Sequence, residues 1–316
     1  MDIQIRNKEP SISIVAPVFN EEENIEEFFL RVKKVLDKET KTWEIIFVDD
    51  GSSDKSIEIL AQLNENDGKV KIISLSRNFG KELAMTAGLD FADNDVIVPI
   101  DSDLQDPPEL IPQMVELWKE GFDVVLAVRS KRNNESWLKK KTAELFYKFI
   151  GNITEIRIPK NTGDFRLIDR KVLVSIKDLR ETQRFMKGIF SWVGYKTTSI
   201  HYERDSRYAG KTKWNYWKLW NLALEGITSF STLPLRLATY IGLIISLSSL
   251  VYLISIIYKV ITNGVDVPGY ASTLTIILFL GGVILFFMGI IGEYVGRIYI
   301  EVKNRPLYII RDRKGF

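Results

Sequence analysis

Residues 13–53 read SIVAPVFNEEENIEEFFLRVKKVLDKETKTWEIIFVDDGSS. The run 13–18 is short and apolar and predicts a buried strand. Residues 21–36 carry acids in the first turn and apolar residues at Ile25, Phe28, Phe29, Val32 and Leu36, the spacing of an amphipathic helix. Residues 44–48 form a second apolar run, closed by Asp49-Asp50-Gly51-Ser52-Ser53. Strand, helix, strand and acidic turn make one crossover unit.

The same alternation runs outward from this stretch. Helices are expected at 56–64, 82–92 and 109–120, and strands at 70–75, 95–100 and 123–128. Such alternation implies right-handed crossovers and a mostly parallel sheet flanked by helices, an α/β fold. Strands that are continuously apolar suit a sheet covered on both faces. Ligands of these sheets sit beyond the carboxyl ends of the strands. Asp49-Asp50 and Asp101-Ser102-Asp103 occupy such ends. From 131 to 201 the pattern is less regular, with 139–150 helical and 164–168 extended.

The C-terminal part has a different character. Between Tyr208 and Arg236 aromatic and basic residues interleave, and three of the seven tryptophans are Trp214, Trp217 and Trp220. Trp and Lys favour the headgroup zone of a bilayer. Residues 237–258 then carry no formal charge, and a helix of that length spans about 33 Å. A second uncharged run, 267–292, begins near Pro268-Gly269. The short connector around Asn263-Gly264 makes the pair a hairpin. Basic residues cluster outside it, so both ends are expected in the cytoplasm. The expected divisions are 1–205, a cytoplasmic catalytic domain; 206–236, interfacial amphipathic helices; 237–293, two spans at about 237–259 and 268–292; and 294–316, a basic cytoplasmic tail.

Composition narrows the chemistry. The 316 residues include no cysteine and one histidine, His201. Disulfides, thiolate sites and His-rich zinc sites are therefore excluded. A metal here would be held by oxygen, which points to magnesium or manganese. The net charge of +2 conceals a tail, 294–316, with six basic and two acidic residues. Beside an apolar segment, that bias reads as membrane-surface contact, not nucleic-acid binding. The first ten residues lack the apolar core of a signal peptide. The strongest local motif is Asp101-Ser102-Asp103-Leu104-Gln105-Asp106. Carboxylates two apart beyond a buried strand can converge on one cation that also binds phosphate. The Asp49-Asp50-Gly51 turn could instead cap the helix near Ser56. The cations around Arg204 and Arg207 could instead serve anionic headgroups.

Taken together, Pro17-Val18-Phe19-Asn20-Glu21, Val48-Asp49-Asp50-Gly51-Ser52, Arg77-Asn78-Phe79-Gly80-Lys81, Asp101 to Pro107 and Gly163-Asp164-Phe165-Arg166-Leu167 resemble family 2 glycosyltransferases. Those enzymes have the GT-A fold, a Rossmann-like sheet flanked by helices. With the hairpin, the chain is similar to polyprenyl-phosphate glycosyltransferases of the GtrB type, relatives of dolichol-phosphate mannose synthase. The resemblance implies a nucleotide-sugar site with Pro17, Phe19, Glu21, Asp50, Lys81, Asp101, Ser102 and Asp103. It implies Mg2+ or Mn2+ at Asp101 and Asp103, with Gln105 nearby. It implies Arg129, Arg204, Arg207 and Lys213 on an acceptor or diphosphate phosphate, and Asp164 as a base or sugar-binding carboxylate.

The implied reaction is inverting transfer of a hexose from a nucleotide sugar, UDP-glucose favoured, to a polyprenyl phosphate such as undecaprenyl phosphate. The favoured donor rests on resemblance alone. A phosphate acceptor has a second pKa of about 6 and needs no strong base. The rivals are a processive polysaccharide synthase and an inactive membrane scaffold. The processive enzymes carry Gln-x-x-Arg-Trp, a spacing that Gln183-Arg184-Phe185 lacks, and two helices cannot enclose a pore. Aromatics on the hairpin leave room for a homo-oligomer.

Overall fold

The computed structural model describes residues 6, 9–130, 162–182, 184–203, 233–263 and 269–316. Among the described residues eight strands form one sheet: β1 (Ile12–Val18), β2 (Trp43–Asp49), β3 (Val70–Leu75), β4 (Val96–Pro99), β5 (Val124–Arg129), β6 (Thr162–Asp169), β7 (Thr197–Tyr202) and β8 (Ile310–Lys314). Their order is β7-β5-β6-β4-β1-β2-β3-β8. Strands β1, β2, β3 and β4 pair in parallel, and so do β5 and β7. Strand β6 runs against both β4 and β5, and β8 runs against β3.

The two reversed strands decide where the site can form. A parallel strand brings its carboxyl end to the ligand edge of the sheet. A reversed strand brings its beginning there. The start of β6, with Gly163 and Asp164, therefore joins the ends of β1, β2, β4 and β5. The start of β8 does the same at the far side, beside β3.

Side chains alternate along each strand and feed two cores. Ile12, Ile14, Ala16, Ile45 and Phe47 pack with α1 (Ile25–Glu39), α2 (Ser56–Asn66) and α4 (Ile111–Lys119). Val15, Ile46 and Val48 pack on the other face with α3 (Lys81–Phe91), α5 (Arg170–Asp178) and α6 (Met186–Trp192). Both faces are covered, which is why the strands read as unbroken apolar runs. Helix α3 lies close on the sheet through Gly88, where an added Cβ would stand 2.4 Å from Val15 Cγ1. Gly88→Ala should cost about 1–3 kcal/mol by forcing helix and strand apart. Chemical denaturation would read this as a lower midpoint with an unchanged slope.

Several elements depart from their expected bounds. Helix α1 begins at Ile25, not near residue 21, because Asn20 has a positive φ of 54° and residues 21–24 form a turn. The helix expected at 109–120 opens with a 3-10 turn at Pro108–Leu110 before α4. The expected helix at 139–150, residues 206–232 of the expected interfacial segment and Gln183 lie outside the described residues, while residues 233–236 belong to the start of the long helix at Leu233–Asn263.

Two long helices follow, α7 (Leu233–Asn263) and α8 (Tyr270–Val302). Each is long and apolar enough to cross a membrane, at Leu237–Ile256 and Phe279–Val302. Large apolar side chains such as Leu243, Ile244 and Val251 on α7 and Leu285 and Phe286 on α8 are exposed. Exposed apolar surface on that scale calls for a lipid or protein partner. Helix α8 continues ten residues past the expected end at 292, carrying a Glu293–Arg297 ion pair at 2.8 Å. The stretch 294–316, read from sequence as one basic tail, thus divides between the end of α8 and the edge strand β8. Tyr308 Oη donates to Asp90 at 2.8 Å and the Ser76 N–H donates to Ile309 O at 2.9 Å, fastening this return to the sheet.

Candidate functional site

The carboxyl-end edge of the sheet begins with the turns after β1 and β2. The Asp50 N–H donates to Val18 O at 2.8 Å, and the Ser53 N–H donates to Asn20 Oδ1 at 2.8 Å. Ser102 Oγ, just past β4, donates to Pro17 O at 3.1 Å. These bonds bring Pro17, Phe19, Asp50 and Ser102 to one corner. Phe19 is exposed at 39 %. The Glu21 N–H donates to Ser56 Oγ at 3.0 Å, and the Glu21 carboxylate accepts from Asn24 Nδ2 at 2.5 Å.

Asp50 does not cap α2. Its oxygens accept the Phe79 and Gly80 N–H groups at 2.7 and 2.9 Å. Burial pushes its pKa up, and those two N–H groups counter the shift. The carboxylate therefore fastens the loop that delivers Lys81. The α2 end is served instead by Asp54, whose Oδ1 accepts the Ser56 N–H at 3.0 Å. Gly51 fits this corner with φ +73°, and a Cβ there would lie 2.8 Å from the Arg77 carbonyl carbon. Gly51→Ala combines backbone strain with that clash, so a loss of about 2–4 kcal/mol is expected, read by thermal unfolding.

Lys81 opens α3 and stands between two acids. Its Nζ lies 2.7 Å from Asp101 Oδ1 and 2.5 Å from Asp164 Oδ2. Desolvation works against the ammonium, but Asp101 and then Asp164 raise its pKa. Desolvation also opposes the Asp164 anion, yet Lys81 and then Lys187 hold its pKa below the usual carboxylate range. For Asp101 desolvation prevails and its pKa rises. Asp164 Oδ1 is buried without a hydrogen-bond partner. Arg166 props the strand under it, donating to Asp164 O at 3.2 Å and Gly163 O at 2.8 Å. Its guanidinium lies 4.1 Å from the Phe190 ring centroid.

Two more charges complete this centre, and neither stands out in the sequence. The Glu82 carboxylate accepts the Met186 N–H at 3.0 Å; burial, then the Asp164 charge, push its pKa up to about 7. Lys187, on α6, is lowered by burial, with Asp164 countering. Glu82 has a consequence for stability. Its folded pKa of about 7 lies above the ordinary 4.5, so the folded state binds the proton more tightly. Stability contributed by the protonated form is present below pH 4.5 and is lost as pH rises through 7. Glu82→Gln should raise Tm by a few degrees at pH 8, about 1–2 kcal/mol, and change little at pH 4.5.

Asp103 is buried, and its Oδ1 accepts the Gln105 N–H at 3.2 Å. Leu104 between them takes φ +60°, which folds the motif back on itself. Among the described residues, no group of three or more Asp, Glu or His side chains gathers at metal-holding spacing. Arg129 ends β5, with its Nε donating to Tyr202 Oη at 3.3 Å and its Nη2 3.6 Å from Asp106 Oδ1. Arg204, Arg207 and Lys213 lie outside the described residues. At the other side, Arg311 brings its guanidinium to 4.0 Å from buried Asp49.

A turn-rich acidic edge on a GT-A sheet, joined to an apolar hairpin, defines a membrane-associated sugar transferase. The chain belongs to glycosyl transferase family 2, whose pattern matches residues 13–176, and residues 233–298 match the GtrB C-terminal hairpin. It is 57% identical over 304 residues to an uncharacterized glycosyltransferase of Synechocystis sp., covering 96% of both chains. It is 53% identical over 300 residues to the SfII prophage-derived bactoprenol glucosyl transferase of Shigella flexneri, covering 95% of this chain and 97% of that one. A prophage bactoprenol glucosyl transferase homolog of Escherichia coli is 52% identical over 303 residues, 96% of this chain and 99% of that one.

Proposed function

We propose that this glycosyltransferase moves glucose from UDP-glucose to a polyprenyl phosphate, such as undecaprenyl phosphate, at the cytoplasmic face of a membrane. One observation carries the reading: a single chain joins the Lys81–Asp101–Asp164 centre to the GtrB hairpin, and relatives matching 95% of it include a bactoprenol glucosyl transferase.

The transfer is a single displacement with inversion. A lipid phosphate oxygen forms the new bond to the anomeric carbon, and the bond to UDP breaks on the opposite face. The acceptor is already anionic, so no side chain must remove its proton. Asp164 is poorly suited to that task, because a carboxylate with a lowered pKa is a weak base. Its free Oδ1 suits a sugar hydroxyl instead. Lys81 bridges Asp101 and Asp164, and Arg129, with Arg204, Arg207 and Lys213, brings two anions together.

The donor set also fits Mg2+ or Mn2+. Asp101 and Asp103 offer oxygen ligands two residues apart, with Gln105 beside them, and such ions complete their shells with water and phosphate oxygens. When bound, the cation would offset charge on the leaving diphosphate.

A donor panel tests the sugar. With one polyprenyl phosphate, UDP-glucose should give the highest kcat/KM among UDP-glucose, UDP-galactose, UDP-N-acetylglucosamine and GDP-mannose. A clear preference for another donor would overturn the glucose assignment. Orientation is readable because the chain has no native cysteine. Asn263→Cys should react with an impermeant maleimide from outside intact cells, and Ser130→Cys only after permeabilisation.

A further inference from the structure

Arg129 is held on three sides, by Asp106, by Tyr202 and by the space left at Gly163, and only Tyr202 lies outside the motifs. Asp106 has a fully buried side chain, and the Tyr202 hydroxyl donates to its Oδ1. The same hydroxyl accepts from Arg129 Nε at 3.3 Å, while Arg129 Nη2 stands 3.6 Å from Asp106 Oδ1. A Cβ at Gly163 would lie 2.9 Å from Nη2, so the missing side chain makes room for the guanidinium. Burial and then Asp106 hold the Tyr202 phenol above its ordinary range. The phenol keeps its proton for Asp106 and offers a lone pair to Arg129. The frame is itself fixed: Ser130 N–H and Oγ both donate to Tyr202 O at 2.8 Å, and Phe165 meets the Tyr202 ring edge-on at 6.4 Å.

We propose that Asp106 and Tyr202 form a clamp that presets the Arg129 guanidinium to receive a phosphate anion; this rests on the reading of Arg129 as a phosphate ligand. A free arginine loses rotamer freedom when it binds, and a guanidinium already held loses less. The clamp uses Nε and approaches Nη2. Nη1 has no hydrogen-bond partner among the described residues. Burial opposes the Arg129 charge, but Asp106 raises its pKa, so the cation is permanent. Tyr202 is thus a positioning residue. It is also the last residue of β7, two positions before Arg204 in the sequence.

The anion has two sources, the acceptor phosphate or the donor diphosphate. The test uses the full chain in detergent, with UDP-glucose and undecaprenyl phosphate, for Tyr202→Phe, Arg129→Ala and the double variant. Tyr202→Phe keeps the ring packing and should lower kcat/KM about tenfold, the scale of one hydrogen bond to a charged group. In the Arg129→Ala background it should cost nothing further, because the positioned group is gone. A raised KM for the lipid with unchanged UDP affinity by calorimetry assigns the acceptor phosphate, and weakened UDP binding assigns the diphosphate. Either result supports the clamp. Losses that multiply in the double variant, as a merely structural tyrosine would give, overturn it. So does a neutral Tyr202→Phe beside an impaired Arg129→Ala. An Arg129→Ala variant with normal kinetics overturns the reading of Arg129 together with the clamp.

Discussion

Asp101→Asn lowers glucose transfer by about a thousandfold while the chain still folds and enters membranes. The carboxylate lies 2.7 Å from Lys81 Nζ and belongs to the pair that would hold the cation. An amide keeps the size but not the charge. Lys81 would then pair with Asp164 alone, pulling its ammonium toward β6 and away from Asp101. Two losses therefore coincide, a cation ligand and the balance of the lysine. Raised Mg2+ or Mn2+ should recover part of the rate if ligand loss dominates. The check is initial-rate transfer by purified protein, beside thermal unfolding. Activity within tenfold of wild type would remove Asp101 from the centre.

Asp164→Asn should lower kcat about a hundredfold, without moving the pH profile between 6 and 8. Lys81 and Lys187 hold the Asp164 pKa below the usual carboxylate range, so the group stays ionised across that window. A general base with so low a pKa would put no limb of its own in this window, but kcat of the variant would then climb with pH as hydroxide replaced the carboxylate. A sugar-holding carboxylate leaves both profiles parallel. The amide also breaks the contact with Lys81 at 2.5 Å, so part of the loss is electrostatic. Rates measured at each pH with saturating acceptor separate the cases. A variant kcat that climbs with pH relative to wild type would return the residue to the role of base.

Much of this site is legible in the residues because it depends on local signals. Apolar runs ended by acids place Asp49, Asp50, Asp101 and Asp103 at strand ends, and the structure has those ends at one edge. Asp164 is different. It joins that edge only because β6 is reversed, and one strand's direction is not written in its own apolar pattern. Strand β8, Ile-Arg-Asp-Arg-Lys, has no apolar run at all. It is an edge strand held by backbone bonds to β3, so its sequence resembles a solvated tail. Tyr202 and Lys187 are invisible for a related reason: each matters through a partner far along the chain, Asp106 and Asp164. Asp50 is legible as a site residue, yet its hydrogen bonds to the 79–80 loop emerge only from the fold.

The most direct measurement supplies UDP-[14C]glucose and undecaprenyl phosphate to the full chain in phospholipid vesicles, then extracts the lipid. The account predicts one glucose per lipid, joined through phosphate as the β anomer, and about a thousandfold slower product formation by the Asp101→Asn protein. Long polymer, label only as free glucose in water, or equal product from Asp101→Asn would contradict it.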